Sequence, residues 1–235
     1  MHHERQQRII TGHPVRAILA TACLALGLLL SPWAARAQDV DWSGYYAGAH
    51  VGWLWADIDY REPDFPGFEI NPGIDGFQGG IIAGYNHQIN RLVLGLALDG
   101  GLQTASLDAG DPGSNGYSAF DLDWNAHFRA RLGYALPRRT LVFAALGLAM
   151  ARFNLDDVDP GFGKDNAVLT GWTLGGGIEH VLSDRLLLRL EYLYDDYGHA
   201  NYRITSPPAT AFFPYYRVRT ELTASTLRAA IIWRF

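Results

Sequence analysis

Between residues 120 and 134 every second side chain is apolar: Phe120, Leu122, Trp124, Ala126, Phe128, Ala130, Leu132 and Tyr134. The positions between them hold Asp121, Asp123, Asn125, His127, Arg129, Arg131 and Gly133. Successive side chains leave a strand on opposite sides, so this pattern predicts one long strand with unlike faces. At about 3.3 Å per residue it runs roughly 50 Å, far beyond an ordinary strand. One face is apolar and the other carries acids and guanidiniums. That combination suits a barrel whose outer wall meets lipid and whose interior is polar, since a tilted spanning strand takes about 9 to 11 residues and can project beyond the bilayer.

Residues 1–37 stand apart from this pattern. Arg5, Arg8 and Arg16 form a basic start, residues 17–30 an unbroken apolar or small run, and Ala35-Arg36-Ala37 a cleavage site before Gln38. They read as a removable export signal, with an apolar run too short for a comfortable transmembrane helix. Cys23 leaves with it; a lipid-anchored Cys23 is disfavoured because apolar residues continue through 24–30 and the better cleavage site lies downstream. Residues 38–235 then contain no cysteine, which excludes a disulfide framework and thiolate chemistry. They hold fifteen arginine and lysine residues against twenty-three acids, a net charge of −8. That balance, with no basic run, disfavours a nucleic-acid partner, and none is expected. Lys164 is the single lysine, which is unlike the surface of a soluble domain. Residues 38–235 suit one domain.

Alternation recurs in eight segments, at 42–56, 77–88, 92–103, 119–135, 141–153, 170–182, 186–197 and 217–235. Three connections are short (89–91, 136–140 and 183–185), and four are long and rich in Gly, Pro, Asn and Asp (57–76, 104–118, 154–169 and 198–216). Long and short alternate throughout. The pattern predicts an all-β, eight-stranded antiparallel up-and-down transmembrane β-barrel with short periplasmic turns and four long surface loops.

The polar parity is crowded with glycine: Gly48, Gly52, Gly80, Gly84, Gly95, Gly101, Gly175 and Gly177. Glycine weakens a solvent-facing strand but makes room inside a narrow barrel, so the polar parity is read as the lumen and the apolar parity as the lipid face. Aromatics then gather at two heights, Tyr45, Tyr85, Tyr134, Trp233 and Phe235 at the short-turn end and Trp53, Trp55, Phe77, Phe120, Trp172, Tyr192 and Tyr194 at the loop end, as in interfacial girdles. The last strand puts Leu227, Ala229, Ile231, Trp233 and Phe235 on the lipid parity and Arg228, Ala230, Ile232 and Arg234 on the other, where Ile232 breaks the polar pattern.

These phrases resemble the small outer-membrane-protein β-barrel family of Gram-negative bacteria, OmpA-like and opacity-type barrels of the porin family. The likeness rests on Trp42-Ser43-Gly44-Tyr45-Tyr46-Ala47-Gly48, Gly84-Tyr85-Asn86-His87-Gln88, Trp124 with Arg129-Ala130-Arg131-Leu132-Gly133-Tyr134, and Gly171-Trp172 with Gly175-Gly176-Gly177-Ile178-Glu179 and Glu191-Tyr192. It implies a Gram-negative outer-membrane location, with lipid and lipopolysaccharide as surroundings. The Trp-Arg-Phe ending resembles the C-terminal signal read by the barrel-assembly machinery. Where relatives commonly read Gly-x-Glu-x-Asp, this chain has Gly95-Leu96-Ala97-Leu98-Asp99, so one lumen carboxylate of the family is missing. The likeness stops at Phe235, without the peptidoglycan-binding domain of some relatives.

On the lumen parity, Asp99, Asp121, Asp123, Glu179, Glu191 and Asp195 share the interior with Arg129, Arg131, Arg189 and Arg228. Charges there must be paired or wetted, which predicts a salt-bridged plug, with a narrow pore for small solutes as the alternative. His50, His87, His127, His180 and His199 show no H-x-x-x-H or H-E-x-x-H spacing, so neither a metal site nor a cofactor is expected. No serine and histidine phrase supports a lipid-modifying enzyme, and the chain is read as non-enzymatic. The loops are the expected seat of partner contact with a host or surface ligand. The first carries Asp57, Asp59, Glu62, Asp64, Glu69 and Asp75, and the third Asp156, Asp157, Asp159 and Asp165, read as solvated acidic loops. The fourth carries His199, Tyr202, Phe212, Phe213, Tyr215 and Tyr216, suited to adhesion, to an apolar ligand such as haem, or to packing on the rim. A monomeric structural and surface-antigen protein is the resulting expectation.

Overall fold

The computed structural model describes residues 40–61, 69–70, 73–110, 117–157, 165–205 and 215–235. The export signal at 1–37, and Phe212 and Phe213, lie outside these. Among the described residues nine strands follow in order: β1 Gly44–Arg61, β2 Glu69–Ile70, β3 Gly73–Ile89, β4 Leu92–Gly110, β5 Tyr117–Leu136, β6 Thr140–Asp157, β7 Asp165–Val181, β8 Leu186–Thr205 and β9 Tyr215–Arg234. β2 is a two-residue pairing on the outer end of β1. The other eight are antiparallel neighbours in chain order, and β9 returns to β1 from Tyr46↔Arg234 to Arg61↔Arg219. Closure leaves no edge strand along the shared height of the wall.

The strands run further toward the surface end than the alternation suggests: β1 reaches Arg61, β4 Gly110 and β8 Thr205. Asp57, Asp59, Glu69, Asp75, Asp156, Asp157 and Asp165, expected in loops, therefore lie in strands, as do His199, Tyr202, Tyr215 and Tyr216. The physical reason is that the wall beyond the bilayer no longer touches lipid. Ladder hydrogen bonds continue there while the apolar face that announces them stops.

Among the described residues three β-bulges sit at the surface end. In β4, Gln103 and Thr104 oppose one residue of β5; in β5, Asp123 and Trp124 oppose one of β6; in β8, Tyr197 and Gly198 oppose one of β9. The β5 bulge corrects the reading of the longest alternating segment. An extra residue reverses parity, so Leu122 is buried inside while Asp123 is exposed. Gly198 takes a left-handed φ of 66°, open to glycine without a Cβ penalty.

These bulges also divide the upper wall. The β3–β4 ladder ends at Gln78↔Gln103 and the β7–β8 ladder at Trp172↔Asp196. All other neighbours stay paired higher, to Gly110↔Tyr117, Ser118↔Asp157, Leu155↔Asp165, Thr205↔Tyr215, Arg61↔Arg219 and Asp57↔Gly73. Above the two endpoints the barrel is thus two four-stranded leaves, β4 to β7 and β8, β9, β1 and β3.

Inside, three layers follow one another along the axis. Trp42, Tyr46, Ile82, Val93, Leu141, Val181, Leu187, Ala230 and Ile232 form an apolar layer at the short-turn end. Ile232 is no blemish; it is part of that layer. Trp42 is anchored by its backbone N–H donating to Gln88 Oε1 at 2.7 Å, with the Arg234 guanidinium 6.0 Å from its ring. Leu54, Ala56, Ile58, Ile74, Ala105, Leu122, Ala149, Ala151, Leu169, Tyr197, Leu222 and Ala224 form the apolar layer at the surface end. The charged residues lie between the two.

Candidate functional site

Each charged lumen residue stands on the inward parity of a strand that the turns and hydrogen-bond register fix in place. Glycines and alanines on the same parity leave the space these long side chains fill. The middle cluster centres on Asp99 of β4. Its carboxylate accepts from Arg129 Nη2, and from Arg228 Nη1 and Nη2 at 2.8 and 3.1 Å. Glu191 of β8 accepts from Arg129 Nη1 at 2.6 Å and Arg228 Nε at 2.9 Å. Two guanidiniums thus hold two carboxylates in a closed ring spanning four strands. His127 joins it, with Nδ1 2.8 Å from Asp99 Oδ2 and Nε2 3.3 Å from Asp195 Oδ2.

A second cluster lies toward the short-turn end around Glu179. Its Oε1 accepts from Arg131 Nη2 at 2.5 Å and Arg189 Nε at 2.7 Å. Arg131 also donates to the Tyr46 hydroxyl at 3.0 Å. The two guanidiniums lie against the rings of Tyr46 and Phe143, with Arg131 4.1 Å from the Phe143 centroid and Arg189 5.1 Å from that of Tyr46. Four arginines therefore meet three carboxylates, with Asp195 reached through His127, all within a few per cent of complete burial. Unpaired, each would carry a large desolvation cost; paired and hydrogen-bonded, they hold one another in a single geometry.

Eight of the ten residues expected in this network meet there: Asp99, Arg129, Arg131, Glu179, Arg189, Glu191, Asp195 and Arg228. Asp121 and Asp123 do not. The β5 bulge turns Asp123 to the outer wall, where its carboxylate accepts from Asn154 Nδ2 at 2.7 Å and faces Arg152 Nε at 3.7 Å. Asp121, two residues away on the same outer parity, is only partly buried. Asp123→Asn is accordingly expected to change unfolding free energy by under about 1 kcal/mol, the range of exposed ion pairs. Urea titration of the reconstituted protein measures it.

Several polar partners escaped sequence reasoning. Tyr46 and Asn86, read as family phrases, supply oxygens to Arg131, and Asn125 Nδ2 donates to Gln78 Oε1 at 2.9 Å. Their signal was the same inward parity. Ala97, where the family's Gly-x-Glu-x-Asp phrase implies a glutamate, is buried on the lumen side, so a carboxylate at this position would enter this interior. On the outside, Ala229, Ile231, Trp233 and Phe235 of the terminal segment are exposed and Leu227 is partly so. The girdles assemble as well: Tyr45 pairs with Tyr85 at 4.9 Å, Trp53 with Phe77 at 4.4 Å and Trp172 with Tyr194 at 5.6 Å between ring centroids. His199 is exposed on β8.

The profile of the outer membrane protein beta-barrel domain matches residues 21–235. The chain belongs to this family. This outer-membrane barrel is 32% identical over 206 residues to the 31 kDa outer-membrane immunogenic protein of Brucella melitensis biotype 1, covering 80% of this chain and 86% of that protein. It is 28% identical over 165 residues to the 22 kDa outer membrane protein of Rhizobium leguminosarum bv. viciae, covering 70% of this chain and 69% of the relative. Among solved structures it shares its fold with OprG from Pseudomonas aeruginosa, at a TM-score of 0.54, 12% identity and coverage of 82% and 97%. The Escherichia coli protease OmpT gives 0.51 at 9% identity, with coverage of 82% and 97%. Likeness at that identity concerns the barrel alone.

Proposed function

We propose that this outer-membrane barrel is a non-conducting, non-enzymatic structural protein that displays its loop end as a surface antigen and adhesive face. The observation that carries the closed lumen is the ring of Asp99, Arg129, Glu191 and Arg228, buried between two apolar layers. An ion crossing it would have to break charge-assisted hydrogen bonds and pass both layers, and eight strands leave little interior beyond what side chains fill. The surface role is supported by relatives named as outer-membrane immunogenic proteins. His127 supports the absence of catalysis, since both its ring nitrogens face carboxylates. The barrel works as a monomer among lipid and lipopolysaccharide, and the exposed face of Leu227, Ala229, Ile231, Trp233 and Phe235 serves the assembly machinery.

Purified protein in planar bilayers tests the closed lumen. Silent membranes are expected, and steady single-channel currents from the native protein would replace this reading with a narrow pore. Antibodies raised against the folded barrel are expected to bind intact cells; binding only after the outer membrane is broken would remove the surface role.

A further inference from the structure

At the short-turn end the rim is basic on one side. Arg91 ends the turn before β4, and Arg138 and Arg139 end the turn before β6. Ala135 N donates to Arg91 O at 2.7 Å, which ties the first turn to the end of β5, beside the second. The sequence has no acid between 76 and 98 or between 124 and 155, so the short-turn half of β3 to β6 carries cations without a carboxylate of its own. Arg91 and Arg138 are exposed. Arg139 Nη2 reaches Asp184 of the third turn at 3.3 Å, an exposed pair of the weak kind. Arg138 and Arg139 also take left-handed φ of 64° and 59°. Glycine or asparagine serves such a turn better, so the geometry of the turn does not account for two arginines there.

On the membrane side of these turns the lipid-facing wall is hollowed. Leu92, Tyr134 and Val142 lie in one row across β4, β5 and β6, and with Leu132 and Ala144 they line a shallow hollow of about 330 Å³. A second hollow of about 330 Å³ follows in the next rows, between Tyr85, Leu94, Leu96 and Ala130. Ala130 and Ala144 are the short side chains that open them among leucines and tyrosines. We propose that this sector binds one anionic glycerophospholipid of the periplasmic leaflet, its acyl chains in the two hollows and its phosphate on Arg91, Arg138 and Arg139. Tyr85 and Tyr134 belong to the aromatic girdle that marks headgroup height, and the arginines stand just beyond it. Guanidiniums bind phosphate through paired N–H donors, and their combined charge selects an anionic headgroup over a zwitterionic one. The apolar hollows select a lipid over a soluble phosphate. The inference goes beyond the surface role and does not depend on whether the lumen conducts.

Native mass spectrometry of the folded protein, released from micelles holding equal amounts of dioleoyl phosphatidylglycerol and dioleoyl phosphatidylethanolamine, tests it. One retained phosphatidylglycerol per barrel is expected, favoured about tenfold over the zwitterionic lipid. Arg91→Gln combined with Arg138→Asn and Arg139→Asn should bring the two lipids to parity, while the asparagines, which accept left-handed backbone, leave the urea midpoint unchanged or higher. Ala144→Phe and Ala130→Phe should each lower retention with every arginine in place, whereas Arg185→Gln, in the turn before β8, should leave it unchanged. Heat-modifiable gel mobility checks the folding of each variant. Equal retention of the two lipids by the native protein overturns the proposal, as does a preference that survives the triple variant or retention that neither phenylalanine moves. An equal loss in Arg185→Gln would mean diffuse attraction to the whole rim, and competition by inorganic phosphate would mean a site that needs no lipid; either overturns it. A dimer that Ala144→Phe abolishes would give the hollows to a second copy and overturn it as well.

Discussion

Replacing Arg228 with methionine is expected to lower the unfolding free energy of the reconstituted barrel by about 3–5 kcal/mol, the range found when one partner of a buried ion pair is removed. Arg228 contributes Nη1 and Nη2 to Asp99 at 2.8 and 3.1 Å and Nε to Glu191 at 2.9 Å. Without it, Arg129 alone must serve both carboxylates, while His127 still faces Asp99. The layers on either side keep water from replacing the lost donors. The loss should therefore come from stranded negative charge rather than from lost attraction as such. Arg228→Met combined with Glu191→Met removes one charge of each sign, and the pair is expected to recover at least half the deficit. Urea unfolding in lipid vesicles, followed by tryptophan emission and by the heat-modifiable band, measures both variants. A double variant no more stable than the single one would show that methionine packing, not charge balance, sets the cost.

The parity of Asp99, Arg129, Glu191 and Arg228 was legible in the chain because alternation fixes which face a residue joins, and a barrel has two faces of opposite chemistry. Their pairing was not. It joins residues up to 129 positions apart, and that depends on how far each strand slides along its neighbour before the sheet closes. Asp123 was misplaced for a different reason. A bulge keeps the written alternation of polar and apolar letters intact while turning the chain over, so Leu122 reads as lipid-facing and lies inside. The strand ends were hidden as well, because toward the surface the apolar side passes from the outer wall to the interior, with Ile58, Ile74 and Leu222 inside and Asp57, Asp75 and Glu221 outside, so the parity that marks the lipid face no longer extends the strand. Ile232 illustrates the converse case. Its apolar side chain on a polar parity looked like noise, and it closes the lumen layer with Val93, Leu141 and Leu187.

Gly84→Ala is expected to cost about 3 kcal/mol, although it adds one methyl group. Gly84 of β3 lies directly opposite Tyr46 of β1, whose ring crosses the glycine and reaches Arg131. A Cβ at position 84 would meet the Tyr46 ring and hydroxyl and, on the other side, the backbone oxygen of Leu96. Overpacking of this kind costs about 1–3 kcal/mol. Displacing the Tyr46 hydroxyl also removes a hydrogen bond from a buried cation, worth about 1.5–3 kcal/mol. The second contact decides how far a compensating change can help. Tyr46→Leu on the Gly84→Ala background clears the ring but leaves the new methyl against the Leu96 oxygen, held in the β3–β4 ladder. Only partial recovery is expected, measured as the urea midpoint relative to Tyr46→Leu alone. Full recovery would mean that the ring by itself requires glycine here. Partial recovery would place the requirement in the close approach of adjacent strands, and account for the glycines on the lumen face beyond the need to seat large side chains.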